Sequence, residues 1–104
     1  MTARVWFTPR AAVQLAKVDE WWRSNRLAAP RLFDDEIRAA IALLAATPET
    51  GRSHAHRQIH GLRRLYLSGT RYHVYYVHDA EAREVVVLAV WSALRGKGPP
   101  LRRP

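Results

Sequence analysis

Residues 84–91 read Glu84-Val85-Val86-Val87-Leu88-Ala89-Val90-Trp91, seven apolar residues in a row after one acid. Such a run is too short for a membrane span and is rich in β-branched side chains. It predicts a strand buried on both faces, at the centre of a sheet. The rest of the chain must therefore supply neighbours for this strand and a layer to cover it. Those neighbours are legible. Arg4-Val5-Trp6-Phe7, Leu62-Arg63-Arg64-Leu65-Tyr66-Leu67 and Tyr72-His73-Val74-Tyr75-Tyr76-Val77 have strand character. Ser68-Gly69-Thr70 and Asp79-Ala80-Glu81-Ala82 are turns short enough to make the last three strands an antiparallel meander.

Two helices fill the remainder. Thr8 is placed to cap the first, and Pro9 fits its first position because the missing N–H has no partner there anyway. Ala11, Leu15, Val18 and Trp22 form its apolar stripe, and Ser24-Asn25-Arg26 ends it. Pro30 is expected to open the second helix, with Asp34, Asp35 and Glu36 near the positive end of its dipole. Phe33, Ile37, Ala40, Ile41 and Leu44 form its stripe, and Thr47-Pro48 stops it. The short connection makes the pair an antiparallel hairpin. The expected fold is thus α+β, in the order β-α-α-β-β-β: an antiparallel sheet with an N-terminal helical hairpin on one face. Residues 1–98 form one domain, residues 99–104 a basic, flexible tail, and residues 47–60 a loop.

Of 104 residues, 17 are Lys or Arg and 9 are Asp or Glu, a net charge of +8. The excess is segregated. Residues 1–50 hold seven bases and six acids; residues 51–104 hold ten and three, and all five histidines. A second half at +7 implies a polyanionic partner, whether nucleic acid or acidic protein. The chain has no cysteine, which removes disulfides, thiolate chemistry and cysteine-based zinc sites. No signal-peptide core or membrane-length apolar run is present, so a soluble cytoplasmic protein with no membrane association is expected. Glycine-rich phosphate loops, His-Glu-x-x-His and Gly-x-Ser-x-Gly are also missing. Acids in the second half are confined to Asp79, Glu81 and Glu84, which gives two-carboxylate and two-metal hydrolysis little support.

Three clusters could carry function. Arg63, Arg64, Arg71, His73, Tyr75, Arg95 and Lys97 lie on the meander and tail. Period two puts Arg71, His73 and Tyr75 on one face of their strand and Tyr72, Val74 and Tyr76 on the other. With helices on only one side of the sheet, the other is expected to be open. A face of Arg, His and Tyr can hold phosphates and stack bases, or support acid–base chemistry on a ribose 2′-OH. It can equally be a solvated face with aromatic–cation pairs. His54, His56 and His60 have metal-like spacing, but Arg52 and Arg57 flank them, Glu49 is the nearest acid, and solvated loop histidines are the better reading. No metal or cofactor is expected. Of Trp21 and Trp22 only one can face the sheet; the other is expected to be partly buried on the adjacent helix, the alternative being an exposed protein contact.

In this order the segments resemble the RelE/ParE superfamily of toxins. Val5-Trp6-Phe7-Thr8-Pro9-Arg10-Ala11 is similar to its opening strand and helix start, and Thr47-Pro48-Glu49-Thr50-Gly51-Arg52 to its following loop. Gly61-Leu62-Arg63-Arg64-Leu65, Arg71-Tyr72-His73-Val74-Tyr75-Tyr76 and Val85-Val86-Val87-Leu88-Ala89-Val90-Trp91 resemble its later strands. The resemblance implies the toxin of a type II toxin–antitoxin module, bound in a hetero-oligomer by an antitoxin with an acidic, amphipathic C-terminal segment. RelE-like members cut mRNA on the ribosome; ParE-like members poison DNA gyrase. The RelE pattern has an Arg where His73 stands, bases directly after the last strand, and a Tyr near the C-terminus. Here Ser92-Ala93-Leu94 follows Trp91, and no Tyr follows Tyr76. The ParE-like reading is favoured: a non-enzymatic gyrase inhibitor with Arg63, Arg64, Tyr75, Trp91 and Lys97 as target contacts. In the RelE-like alternative, a ribosome-dependent endoribonuclease, His73, Arg71 and Arg95 are the catalytic set. A non-toxic basic binding module is the third reading.

Overall fold

The computed structural model describes residues 2–103. Met1 and Pro104, the outermost residues of the expected domain and tail, lie outside the described residues. Seven elements follow one another: β1 (Arg4–Phe7), α1 (Pro9–Asn25), α2 (Leu32–Ala46), β2 (Arg52–Ser53), β3 (Arg63–Leu67), β4 (Tyr72–Asp79) and β5 (Glu84–Ser92). The sheet order is β1-β5-β4-β3-β2, with the apolar β5 between β1 and β4. No helix among the described residues is long and apolar enough to cross a membrane.

The sheet is mixed, which corrects the antiparallel expectation. β1 runs parallel to β5, with Val5 opposite Val85 and Phe7 opposite Val87. Short turns fix direction only for β3, β4 and β5. The direction of β1 is set by where the chain must enter α1, and the Thr8 N–H continues the ladder by donating to the Val87 carbonyl at 3.0 Å. A fifth strand is the second departure: Arg52 and Ser53, inside the expected loop, pair with Arg64 and Arg63. Two residues are too few to show a period in sequence.

The helix ends follow the sequence logic at one terminus and not the other. Thr8 Oγ1 accepts from the Ala11 N–H at 3.1 Å, and Pro9 is the first helical residue. α2 begins at Leu32 rather than Pro30, its N-cap Arg31 makes no side-chain cap, and Asp34 and Asp35 occupy its first turn. Glu36 acts outside its own helix. Its carboxylate accepts from the Gly69 N–H, the Thr70 N–H and the Thr70 hydroxyl at 2.7, 2.9 and 2.6 Å, which ties α2 to the β3–β4 turn.

Phe33, Ile37, Ala40 and Leu44 of α2, with Ala11 and Trp22 of α1, pack on Val74, Tyr76, Val85, Val87 and Val90. The opposite face is not open, contrary to expectation. Ile59, Leu62, Tyr75, Val86, Leu88 and Ala89 form a second, smaller core, and Leu101 of the tail packs against it. Arg103 Nε also donates to the Gln58 carbonyl at 3.0 Å, so the tail lies on the 54–62 loop. Apolar residues on both sides of β5 demand cover on both sides, and this loop and tail provide the second cover. Trp22 is buried and donates from its indole to the Ala29 carbonyl at 2.9 Å; Trp21 stays 44% exposed, with the Arg26 guanidinium 4.9 Å from its ring centroid.

Candidate functional site

A bulge decides what the second face presents. Tyr75 pairs with Ala89 and Tyr76 with Val87, so Leu88 is an extra residue in β5. An extra residue reverses the side-chain parity beyond it. Leu88 and Ala89 therefore both enter the smaller core, and Trp91, the register partner of His73, reaches the same face. Without the bulge the indole of Trp91 would point towards the helices.

Period two does the rest. Arg64 and Tyr66 of β3 share this face with His73 and Tyr75 of β4, in the pairs Arg64–Tyr75 and Tyr66–His73. Tyr75 is 3% exposed and forms a floor. His73 sits edge-on to it at 6.0 Å, His54 at 5.6 Å, and the Arg64 guanidinium lies 6.0 Å from its centroid. Tyr66 stands 5.2 Å from His73 and is half exposed. Beside them runs an open groove of about 460 Å³, lined among others by Thr50, Arg52, Arg64, Tyr66 and His73. It lies where β2 stops and leaves the outer edge of β3 uncovered.

Burial holds the His73 imidazole below the usual histidine range, and Arg64 and then His54 push it further down. His54 is lowered by burial, Arg64 and His56 in the same order. Both rings are neutral at pH 7. The groove thus offers one uncharged imidazole, two guanidiniums and an exposed phenol, with no carboxylate in its lining. Among the described residues no three His, Asp or Glu side chains converge as a metal requires. His56 Nδ1 is already an acceptor for the Gln58 and Ile59 N–H groups at 3.1 and 3.2 Å, which makes it a brace of the loop.

The remaining sequence candidates separate. Arg63 points to the helix side, one residue out of phase with Arg64. Its Nη1 donates to the Gly51 and Glu49 carbonyls at 2.7 and 3.1 Å, so it staples the loop before β2 and does not face the groove. Tyr76 shares that staple, its hydroxyl accepting from the Gly51 N–H at 2.8 Å. Arg71 precedes β4 in the turn, with φ of 63°, and does not line the groove. Arg95 stacks on Trp91, its guanidinium 4.2 Å from the ring centroid, and the Trp91 indole donates to the Lys97 carbonyl at 2.9 Å. These two lock Trp91 in place beside His73. Arg95 also lines a second groove of about 500 Å³ with Gln14 and Lys17, between α1 and β5. Arg52 and Tyr66 were not singled out from sequence. Tyr66 was detectable, because it alternates in phase with Arg64; Arg52 was not, because nothing marked its two-residue strand.

No curated protein matches the chain. Solved structures do. The RelBE2 toxin–antitoxin complex of Mycobacterium tuberculosis is similar at a TM-score of 0.65 and 24% identity, covering 88% of this chain and 99% of that one. A chromosomal ParDE toxin–antitoxin system of P. aeruginosa gives a TM-score of 0.63 and 16% identity over 88% of this chain and 96% of that one. The E. coli toxin RelE, as a double arginine mutant in the free state, gives 0.57 and 17% over 90% and 86%. At these identities the likeness shows the fold. The family is shown by sequence: the model of the ParE toxin of type II toxin–antitoxin systems, parDE, matches residues 5–95, and the chain belongs to that family.

Proposed function

We propose that the chain arrests growth by poisoning DNA gyrase and is held inactive by a cognate antitoxin. The ParE model match over residues 5–95 carries this reading. The geometry supports it from the other side. The expected ribonuclease set is dispersed, with Arg71 in a turn away from the groove and Arg95 stacked on Trp91. Target contact falls to Arg64, in the groove over the buried Tyr75, and to Trp91 and Lys97 at the end of β5 and just after it. An antitoxin partner is supported by the similar RelBE2 and ParDE systems, both toxin–antitoxin assemblies. The acidic, amphipathic antitoxin segment would meet the +7 half of the chain. In a supercoiling assay the purified chain should inhibit gyrase and accumulate cleaved DNA. A chain that does neither at saturating concentration overturns the gyrase target. Co-expression with the acidic antitoxin should restore growth.

One observation favours a second reading. His73 is a neutral imidazole beside Arg64 in an open groove, the pairing a ribosome-dependent endoribonuclease needs for proton transfer next to a phosphate. Mapping of mRNA ends at the ribosomal A site decides it. Cuts that vanish in His73→Ala and Arg64→Ala establish this activity; arrest that persists in both variants without cuts removes it.

A further inference from the structure

Arg52 and Arg64 are direct cross-strand partners. Like charges opposite each other weaken an antiparallel pair, and here they sit on a strand only two residues long. A carboxylate would relieve the repulsion. Neither arginine belongs to an ion pair of the described residues, and no acid lines the groove they share. The nearby His54 and His73 add no negative charge. Two arginines at paired positions in the lining of one groove suit a compact group with several acceptor oxygens, which describes a phosphate better than a single carboxylate. Tyr66 adds the second half of the argument. Its ring is 50% exposed on the same wall of the groove as His73, so it is accessible for stacking next to the two arginines. A flat exposed ring beside a phosphate site matches an unpaired base. In a duplex the base faces are stacked on each other and closed to a side chain.

We infer that Arg52, Arg64 and Tyr66 form a binding site for an unpaired nucleic-acid strand, with both guanidiniums on one phosphodiester and the phenol ring against the adjacent base. The site deepens the proposed function and rests on it only for the strand met in the cell, which for a gyrase poison is opened DNA. An acidic peptide is the competing occupant; it carries charge for the arginines but no base for Tyr66.

Fluorescence anisotropy of the full chain tests this with labelled oligo-dT and oligo-rU of about 12 nucleotides, a duplex of equal length, and polyglutamate, between about 50 and 200 mM salt. The expected result is binding of an unpaired strand in preference to duplex and polyglutamate. Arg52→Gln/Arg64→Gln should weaken binding at least tenfold and lower the salt slope by about 0.7, one single-strand phosphate. Tyr66→Ala should weaken it by about 5- to 100-fold with the slope unchanged. Arg52→Glu separates binding from folding: it creates an opposite-charge pair with Arg64, so it should raise the unfolding temperature while binding falls. The Arg10→Ala/Arg38→Ala variant removes equal charge from the helical side and should bind within about twofold of the parent. Absence of binding to both strands, equal loss in the Arg10/Arg38 variant, or equal competition by polyglutamate overturns the site. Binding of oligo-rU alone upholds the site and counts against gyrase. Gyrase inhibition by a chain that binds neither strand overturns the site and leaves the gyrase reading standing.

Discussion

On the helix side of the sheet, Phe33, Ile37 and Leu44 meet Val74, Tyr76 and Val87 in a continuous core two layers thick. On the other side a loop and a tail lie over Tyr75, Leu88 and Ala89, and the cover stops short of Arg64, Tyr66 and His73. The same strands serve both faces. The contrast teaches where folding stability is concentrated and why the other side can hold unbalanced charge. Repulsion between Arg52 and Arg64 is tolerable because the helix-side core, not the short β2 ladder, fixes β3 and β4. The face least needed for stability is the one that carries the basic and aromatic groups.

Truncation compares the two cores directly. Phe33→Ala, at a site with no exposure, should cost about 3–5 kcal/mol in urea unfolding. Leu88→Ala, beneath a loop that can settle into the vacated space, should cost about 2 kcal/mol. Equal costs would break the comparison. Gly51→Ala comes next. A methyl there would stand 2.7 Å from the Tyr76 hydroxyl oxygen and 2.8 Å from its ring, and Tyr76 has no exposure and little room to move. The expected cost is about 1–3 kcal/mol by thermal melting, with loss of the Gly51–Tyr76 hydrogen bond. A neutral outcome would mean that the staple before β2 is soft.

The smallest effect is pH dependence confined to the second face. His54 and His73 are held below their ordinary value of 6.5, first by burial and then by Arg64. As pH falls through 6.5 the unfolded chain takes up protons that the folded chain refuses. Stability present at neutral pH is therefore lost as pH falls from there towards the folded values. Asp34, lowered by its hydrogen bond to Arg38, acts in the same direction but only near and below 3.8. Melting curves between pH 7 and about 5 should slope downward in the parent and be flatter in His73→Gln. A flat parent curve would mean that the second face is wet enough to protonate freely.

Much of the fold was written in periodic segments. The Thr8-Pro9 start, the two helical stripes and the doubly apolar β5 are each local signals with a mechanical cause, and each is present in the structure. The parallel direction of β1 was not legible, because no local residue records a partner so distant in sequence. The second core was missed for a different reason. Ile59, Leu62 and Leu101 lie in stretches without period, and their burial follows only once β5 is seen to need cover on both sides. The site was half legible. Alternation brings Arg64, His73 and Tyr75 together, but it also separates Arg63 from Arg64, which composition had grouped. The position of Trp91 hangs on the Leu88 bulge, a one-residue event that an all-apolar run conceals.

The parallel seam of β1 with β5 joins Arg4 to Glu84, partners 80 positions apart that also form an ion pair. Contacts this distant close late, after local hairpins have formed. During translation the helical hairpin emerges with its apolar stripes and no sheet to receive them, and β1 waits for a strand not yet made. A nascent chain interrupted before β5 has neither a central strand nor a face on which to assemble Arg64, His73 and Trp91. That face of the sheet comes into being only once β5 has been made, and a partner that recognises the finished sheet finds nothing to bind before then.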